Sequence, residues 1–246
     1  AAAGVGISDV LPPGTTYVPN STTVNAPTTV TRIIRDEFWS RVYTGSNGNL
    51  PWASNWIETS DDGSPTGGDV LVANDQSDYR LQLDDNDNSA YRSADLTAFT
   101  SPRLSFIYRR NGIDAGEDVQ VQVATGTGGP WTTLQTFGQG TDANYVSASF
   151  DITAWKSATT TIRFLTDGDL DDNDFLNVDD VDIRDTAQRV YQNFTGNPPP
   201  SLASGYDLNP GEVLTVTFQV TVNQPPPPPE PDLVNVATAY SSSADP

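Results

Sequence analysis

Apolar residues occur along this chain in short runs rich in Val, Ile and Phe, separated by polar turn residues. Val70-Leu71-Val72-Ala73, Leu104-Ser105-Phe106-Ile107-Tyr108, Val119-Gln120-Val121-Gln122-Val123, Thr161-Ile162-Arg163-Phe164-Leu165 and Phe175-Leu176-Asn177-Val178 each read as a strand. Leu214 to Val222 alternates apolar residues with Thr and Gln, and the period of two predicts one continuous strand. Gly126-Thr127-Gly128-Gly129, Gly138-Gln139-Gly140 and Asn209-Pro210-Gly211 supply turns between such runs. No segment carries a 3.6-residue apolar stripe; Ile152 to Ser157 is the best helical candidate and reads as a turn within a loop. The pattern predicts an all-β protein.

Composition sharpens that picture by exclusion. The 246 residues include no Cys and no His, so thiol nucleophiles, Ser–His triads, disulfides and ordinary zinc, copper or haem sites are absent. The formal net charge of −20 repels phosphate backbones and anionic lipid, so neither nucleic acid nor bare membrane is an expected partner. No apolar run is long enough to span a bilayer. No signal peptide begins the chain, so a secretion signal is expected outside it. Of the 32 acids, 27 are Asp, a poor helix and strand former but a good turn residue and hard-cation ligand.

Charge and aromatics are unevenly placed. Nine Asp fall within residues 167–185, whereas residues 1–31 hold Asp9 alone. Both ends are rich in Thr, Val and Pro and lack Trp, and all five Trp lie between. The expected organisation is an outer domain made of residues 1–31 and 187–246, interrupted by an inserted domain at 32–186. The proline tract Pro225 to Pro229 cannot join a ladder and is expected as an extended spacer between two outer strands.

Motifs at both ends resemble a known module. Gly6-Ile7-Ser8-Asp9-Val10-Leu11-Pro12-Pro13-Gly14-Thr15-Thr16-Tyr17, with Asn209-Pro210-Gly211-Glu212 and Asn235-Val236-Ala237-Thr238 near the other end, resembles the tandem-repeat domain of prokaryotic surface proteins catalogued as domain of unknown function eleven. That resemblance implies an Ig-like β-sandwich used as a repeated stalk. The opening strands of that family are missing before Asp9, which implies a shifted repeat phase or strands supplied by a neighbouring module. In the middle, Asp36-Glu37-Phe38, Trp52 and Trp56, Tyr91 to Leu96, Leu104-Ser105-Phe106, Trp131 to Leu134, Thr161 to Phe164 and Asn177 to Ile183 follow the order of MAM-like jelly rolls, which also resemble carbohydrate-binding modules. The expected fold is therefore an Ig-like β-sandwich interrupted by a jelly-roll β-sandwich.

The jelly-roll resemblance implies a structural Ca²⁺ between the first and last strands, at positions matching Asp36 or Glu37, Glu58, and Asp179 or Asp180. Strand alternation would turn only one of Asp179 and Asp180 inward. A second cation candidate is the loop of Asp167, Asp169, Asp171 and Asp174, alone or with Asp84-Asp85-Asn86-Asp87. Its Asp-x-Asp-x-Asp spacing is that of an EF-hand start, but Asp172 replaces the required Gly and Val178 the closing Glu. Asp9, Asp207, Asp232 and Asp245 are candidates for inter-module cation or contact residues. In each case the alternative is a set of solvated turn acids. Arg109-Arg110 with neighbouring aromatics reads either as a contact patch or as ordinary packing. No acid stands out as a protonated glycosidase partner, so no catalysis is expected. Three functions remain: a calcium-stabilised structural module of an extracellular or cell-surface fibre, touching neighbouring copies of itself; an adhesin module whose jelly roll binds a glycan or surface ligand; and an enzyme accessory domain.

Overall fold

The computed structural model describes residues 1–85, 87–166, 169–171, 173–185, 187–223 and 234–242. The chain forms two compact units, one of residues 1–30 with 188–246 and one of residues 31–187. The first unit begins with β1 (Ala2–Asp9), β2 (Thr15–Tyr17) and β3 (Thr23–Val30). The second contains β4 (Ile33–Asp36), β5 (Ile57–Thr59), β6 (Val70–Asp75), β7 (Asp78–Asp84), β8 (Ser89–Ala94), β9 (Arg103–Asn111), β10 (Val119–Ala124), β11 (Thr132–Phe137), β12 (Val146–Asp151), β13 (Thr160–Thr166) and β14 (Phe175–Arg184). The chain then returns to the first unit with β15 (Gln188–Thr195), β16 (Ser201–Leu208), β17 (Thr215–Thr217), β18 (Val220–Val222) and β19 (Ala237–Tyr240). The one helical element among the described residues is a 3₁₀ turn at Thr153–Trp155, inside the segment read as a loop turn. The fold is all-β.

The unit of residues 31–187 packs two antiparallel sheets, ordered β11-β10-β13-β8-β5 and β12-β9-β14-β7-β6, with β4 also paired to β14. Alternation builds the shared core: Val119, Val121 and Val123 are fully buried while Gln120 and Gln122 take the opposite face of β10. β14 keeps its apolar set inside through a bulge. Asp180 has φ +52°, and the register with β9 shifts between Asp179 and Asp182. The extra residue places Leu176 and Val178 before it, and Val181 and Ile183 after it, in one core. Simple alternation of Asp179 and Asp180 across β14 therefore does not hold: Asp180 is the bulge residue.

An arginine lies inside this core. Arg92 is 2% exposed, on the inward face of β8 opposite Ile162. Its Nη1 donates to Asp36 Oδ2 at 2.6 Å and its Nε to the Ser54 carbonyl at 2.9 Å. Its guanidinium carbon sits 4.7 Å from the Trp52 ring centroid and 5.8 Å from that of Trp56. Asp36, fully buried, also accepts from Phe38 N and Trp56 Nε1, each at 3.0 Å. Burial lowers the Arg92 pKa to about 10, against the opposing pull of Asp36. Gly45 is obligatory beside this pair, because a Cβ there would lie 2.2 Å from Asp36 Oδ1. At the two ends of the unit, Asp185 N donates to the Arg32 carbonyl at 3.0 Å, and Arg32 Nη1 lies 3.4 Å from Asp185 Oδ2.

The other unit has three small sheets, β16-β1-β19, β15-β3-β17 and β18-β2. Its buried cluster is slight: Val24, Ala26 and Ala203, with Phe194, Tyr206, Leu214 and Val216 against it. The nine-residue alternating run resolves into β17, paired with β3, and β18, paired with β2. The ladder breaks at Phe218-Gln219, where Gln219 N donates to Ser21 Oγ at 3.0 Å and Val18 N to the Gln219 carbonyl at 3.0 Å. Periodicity reports which side chains point inward, not which partner strand is engaged, so this change of sheet left no mark on the pattern.

Arg92→Met should destabilise the chain by about 3–5 kcal/mol in urea melts, since it strands the Asp36 carboxylate without its cation. Asp36→Leu with Arg92→Met should recover most of that loss, because an apolar pair needs no compensating charge.

Candidate functional site

The structure does not gather the acids expected at one calcium site. Asp36 is paired with Arg92 in the core. Glu37 pairs with Arg35 at 2.6 Å. Asp179 pairs with Arg80 at 2.7 Å across the face of the β12-β9-β14-β7-β6 sheet. Asp169 and Asp171 are exposed, Asp174 donates its backbone N to the Asp171 carbonyl, and Asp167 lies outside the described residues. Asp9 is buried, with Oδ2 accepting from Asn235 Nδ2 at 2.7 Å, while Asp207 is exposed and accepts from Gly4 N. Asp232, Asp245 and the proline tract lie outside the described residues. Arg109 and Arg110 serve as structural partners of Asp75 and Asp142, each at 2.8 Å.

Among the described residues, one group of three acids draws its carboxylate oxygens together: Glu58, Asp61 and Asp62, all within 4.8 Å of one another. Glu58 comes from β5, and the other two open the loop leading to β6. Asp61 Oδ2 accepts from the backbone N of Asp69 at 2.9 Å and of Val70 at 2.7 Å. Asp62 Oδ1 accepts from Ser64 N at 2.7 Å. Glu58 accepts from Gly63 N and from the Tyr43 hydroxyl. Gly68, at φ +73°, allows the loop to close on Asp61, whose carboxylate would lie 2.3 Å from a Cβ at that position. Burial raises the Glu58 pKa, and the charges of Asp61 and Asp62 add to the rise. Burial and Glu58 raise the Tyr43 pKa. A spread of 4.8 Å suits oxygens arranged about a Ca²⁺ at roughly 2.3–2.6 Å each. Glu58 was among the expected ligands; Asp61 and Asp62 were not, although Asp61-Asp62-Gly63-Ser64 is a dense oxygen-bearing turn just three residues on.

A second constellation lies on the outward face of the β11-β10-β13-β8-β5 sheet. Register aligns Ile57, Tyr91, Arg163, Gln122 and Thr133 in one row across five strands. Ile57 is 41% exposed, and Tyr91, Arg163 and Trp131 are partly exposed. The Arg163 guanidinium stacks on Trp131, with its carbon 4.1 Å from the ring centroid. Its Nε donates to Gln122 Oε1 at 3.0 Å, and its Nη2 donates to the same oxygen. Gln122 Nε2 donates to Gln120 Oε1 at 2.9 Å, which holds the amides in place. The result is a row of flat aromatic and guanidinium groups at the surface, braced by the largely buried amide of Gln122. Its members are the outward positions of period-two strands, and only strand order, invisible to a linear pattern, sets them side by side.

On the opposite sheet, Arg80 bridges Asp179 and Asp78 and lies 4.9 Å from the Tyr145 ring centroid. Burial pushes the Asp179 pKa up to about 7, with Arg80 pulling it down. Burial, helped by Asp75, raises Tyr145 to about 12.

No protein family and no curated protein matches the chain. Solved structures of similar shape include the K3 cleaved adhesin domain of Lys-gingipain from Porphyromonas gingivalis, at 14% identity over 63% of this chain and 99% of that one, with a TM-score of 0.44. Another is the CBM22-1–GH10 part of Clostridium thermocellum endo-1,4-β-D-xylanase 10B in complex with xylohexaose, at 12% identity over 65% of this chain and 30% of that one, with a TM-score of 0.40. A CBM4 module matches at 11% identity over 56% of this chain and 94% of that one, with a TM-score of 0.32. At these values the likenesses transfer neither residues nor activity to this chain.

The raised Asp179 pKa has a readable consequence. An unfolded Asp titrates near 4, so between that value and about 7 the folded chain binds more protons. Stability should therefore fall as pH rises through this window, and Asp179→Asn should flatten that slope. Urea melts at pH 5 and pH 7.5 in EDTA check it.

Proposed function

We propose that this chain is a non-catalytic module of an extracellular surface protein, and that its jelly-roll unit binds a glycan. The row of Tyr91, Arg163 and Trp131 with Gln122 carries this reading. Sugar rings present apolar C–H faces and rims of hydroxyls. Aromatic faces match the first, and fixed guanidinium and amide groups match the second. An extended strand face accommodates an oligosaccharide without a deep pocket. The adhesin and carbohydrate-binding modules among the structures of similar shape accord with the reading but do not carry it.

Calcium is proposed as a structural ion at Glu58, Asp61 and Asp62. These residues would hold it close to β5, whose Ile57 belongs to the ligand row. Bound there, the ion would supply positive charge that the loop lacks, and would fix the turn between β5 and β6.

A structural role within a surface fibre, in the manner of domain of unknown function eleven, is the second reading for the unit of residues 1–30 and 188–246. It is favoured by three exposed valines: Val10 at 74%, Val234 at 72% and Val236 at 71% exposure. Neighbouring copies of the module would cover them.

Trp131→Ala should weaken binding to a responsive oligosaccharide on a glycan array about tenfold, the order expected for losing one aromatic stacking partner; no binding by the native chain to any glycan would refute the reading. Calcium at a hundredfold over its dissociation constant should add about 2.7 kcal/mol of stability. Glu58→Gln and Asp61→Asn should each abolish most of that increment, and melting temperatures unchanged between EDTA and calcium would refute the ion.

A further inference from the structure

The arginines of this acidic chain are nearly all spoken for. Eight of the 11 form ion pairs among the described residues. Of the other three, Arg41 and Arg103 are exposed; Arg41 donates to two carbonyls, and Arg103 donates to Ser149 and lies across the ladder from Asp151. Arg163 differs. It is partly buried on the ligand row, its contacts are the neutral Gln122 and the Trp131 ring, and its Nη1 donates to no described residue. Burial lowers its pKa, and no carboxylate acts against that. Removing a cation from water without an anion is unfavourable. A chain with 32 acids has no shortage of candidate partners, so the missing partner is conspicuous.

Resting on the glycan-binding reading, we infer that Arg163 selects a saccharide carrying a single carboxylate, such as a uronic or sialic acid residue within an otherwise neutral glycan. The ligand's carboxylate takes the place of the missing acid. One oxygen accepts from Nη1, while Gln122 holds Nε and Nη2 so that the guanidinium plane is fixed before the ligand arrives. The Trp131 ring supports the far face of that plane, and Tyr91, directly across the ladder from Arg163, offers its ring to the sugar. The row holds one unpaired cation, so it matches one carboxylate. A polyanion gains no further partner and meets the repulsion of a −20 chain.

The test is a printed array of matched oligosaccharide pairs, each a neutral chain beside the same chain with one glucuronate or one sialate, followed by calorimetry on the best pair with the whole chain. The native protein should prefer the acidic member about tenfold, the order of one charge-assisted hydrogen bond. Arg163→Gln should abolish the ratio between the two members, weakening the acidic member by about tenfold more than the neutral one, and Arg163→Lys should keep part of the ratio. Matching melting temperatures would show that the variants fold. Equal binding to both members of every pair, or an acid preference that survives Arg163→Gln, would overturn the inference and leave the glycan-binding reading intact. Binding to no member of any pair would overturn both.

Discussion

The jelly-roll unit depends on one ion pair placed where no ion pair would form by chance. Arg92 and Asp36 join the two sheets through the core, from β8 on one side and the end of β4 on the other. Their mutual attraction alone would not offset the loss of water; the backbone N of Phe38, the indole N–H of Trp56 and the Ser54 carbonyl complete it. Those bonds in turn dictate where the segment between β4 and β5 runs, because Phe38, Gly45, Ser54 and Trp56 all converge on two side chains. The strand carrying Glu58 begins directly after Trp56, so the acidic loop and Ile57, at the edge of the outward row, take their positions next to this buried pair.

The remaining acids are divided between two tasks. Much of the arginine complement is consumed by the jelly roll's own carboxylates, as at Asp75, Asp142, Asp179 and Asp182. These pairs cover the outward sheet face and its margins with fixed, self-compensated charge. Glu58, at β5, and Asp61 and Asp62, in the loop after it, converge with no ion-pair partner among the described residues. The net charge of the protein is thus the surplus left after its arginines are used.

How much of this could be read from the residues varies with the range of the interaction. Strands such as β10 and β13 were legible because alternation is a local consequence of burial on one face. The interrupted plan was legible in composition, since the Thr/Val/Pro-rich ends differ from the Trp-bearing middle. Asp36 was read, with Glu37 as the alternative, as a calcium ligand, and its pairing with Arg92 was not legible: an acid that binds calcium and one that binds arginine look alike until the partner on a distant strand is known. Asp180 was read as an alternating strand residue, and a bulge is a pairing irregularity that leaves no period behind. Tyr91, Arg163 and Trp131 fall on three separate segments, so only the order of strands makes them neighbours.

The bonds between Arg32 and Asp185 carry a further meaning. The partners Val30 and Gln188 of the β3–β15 ladder are separated by on the order of 150 residues of intervening chain. Closing a loop of that length in an unfolded polymer costs about 4–5 kcal/mol in chain entropy. Once the jelly roll has folded, its own first and last residues are hydrogen-bonded to each other, and the two halves of the split unit are delivered to one another as though joined by a short hairpin. The insertion therefore acts as a clasp: its bonded ends shorten the effective loop between β3 and β15.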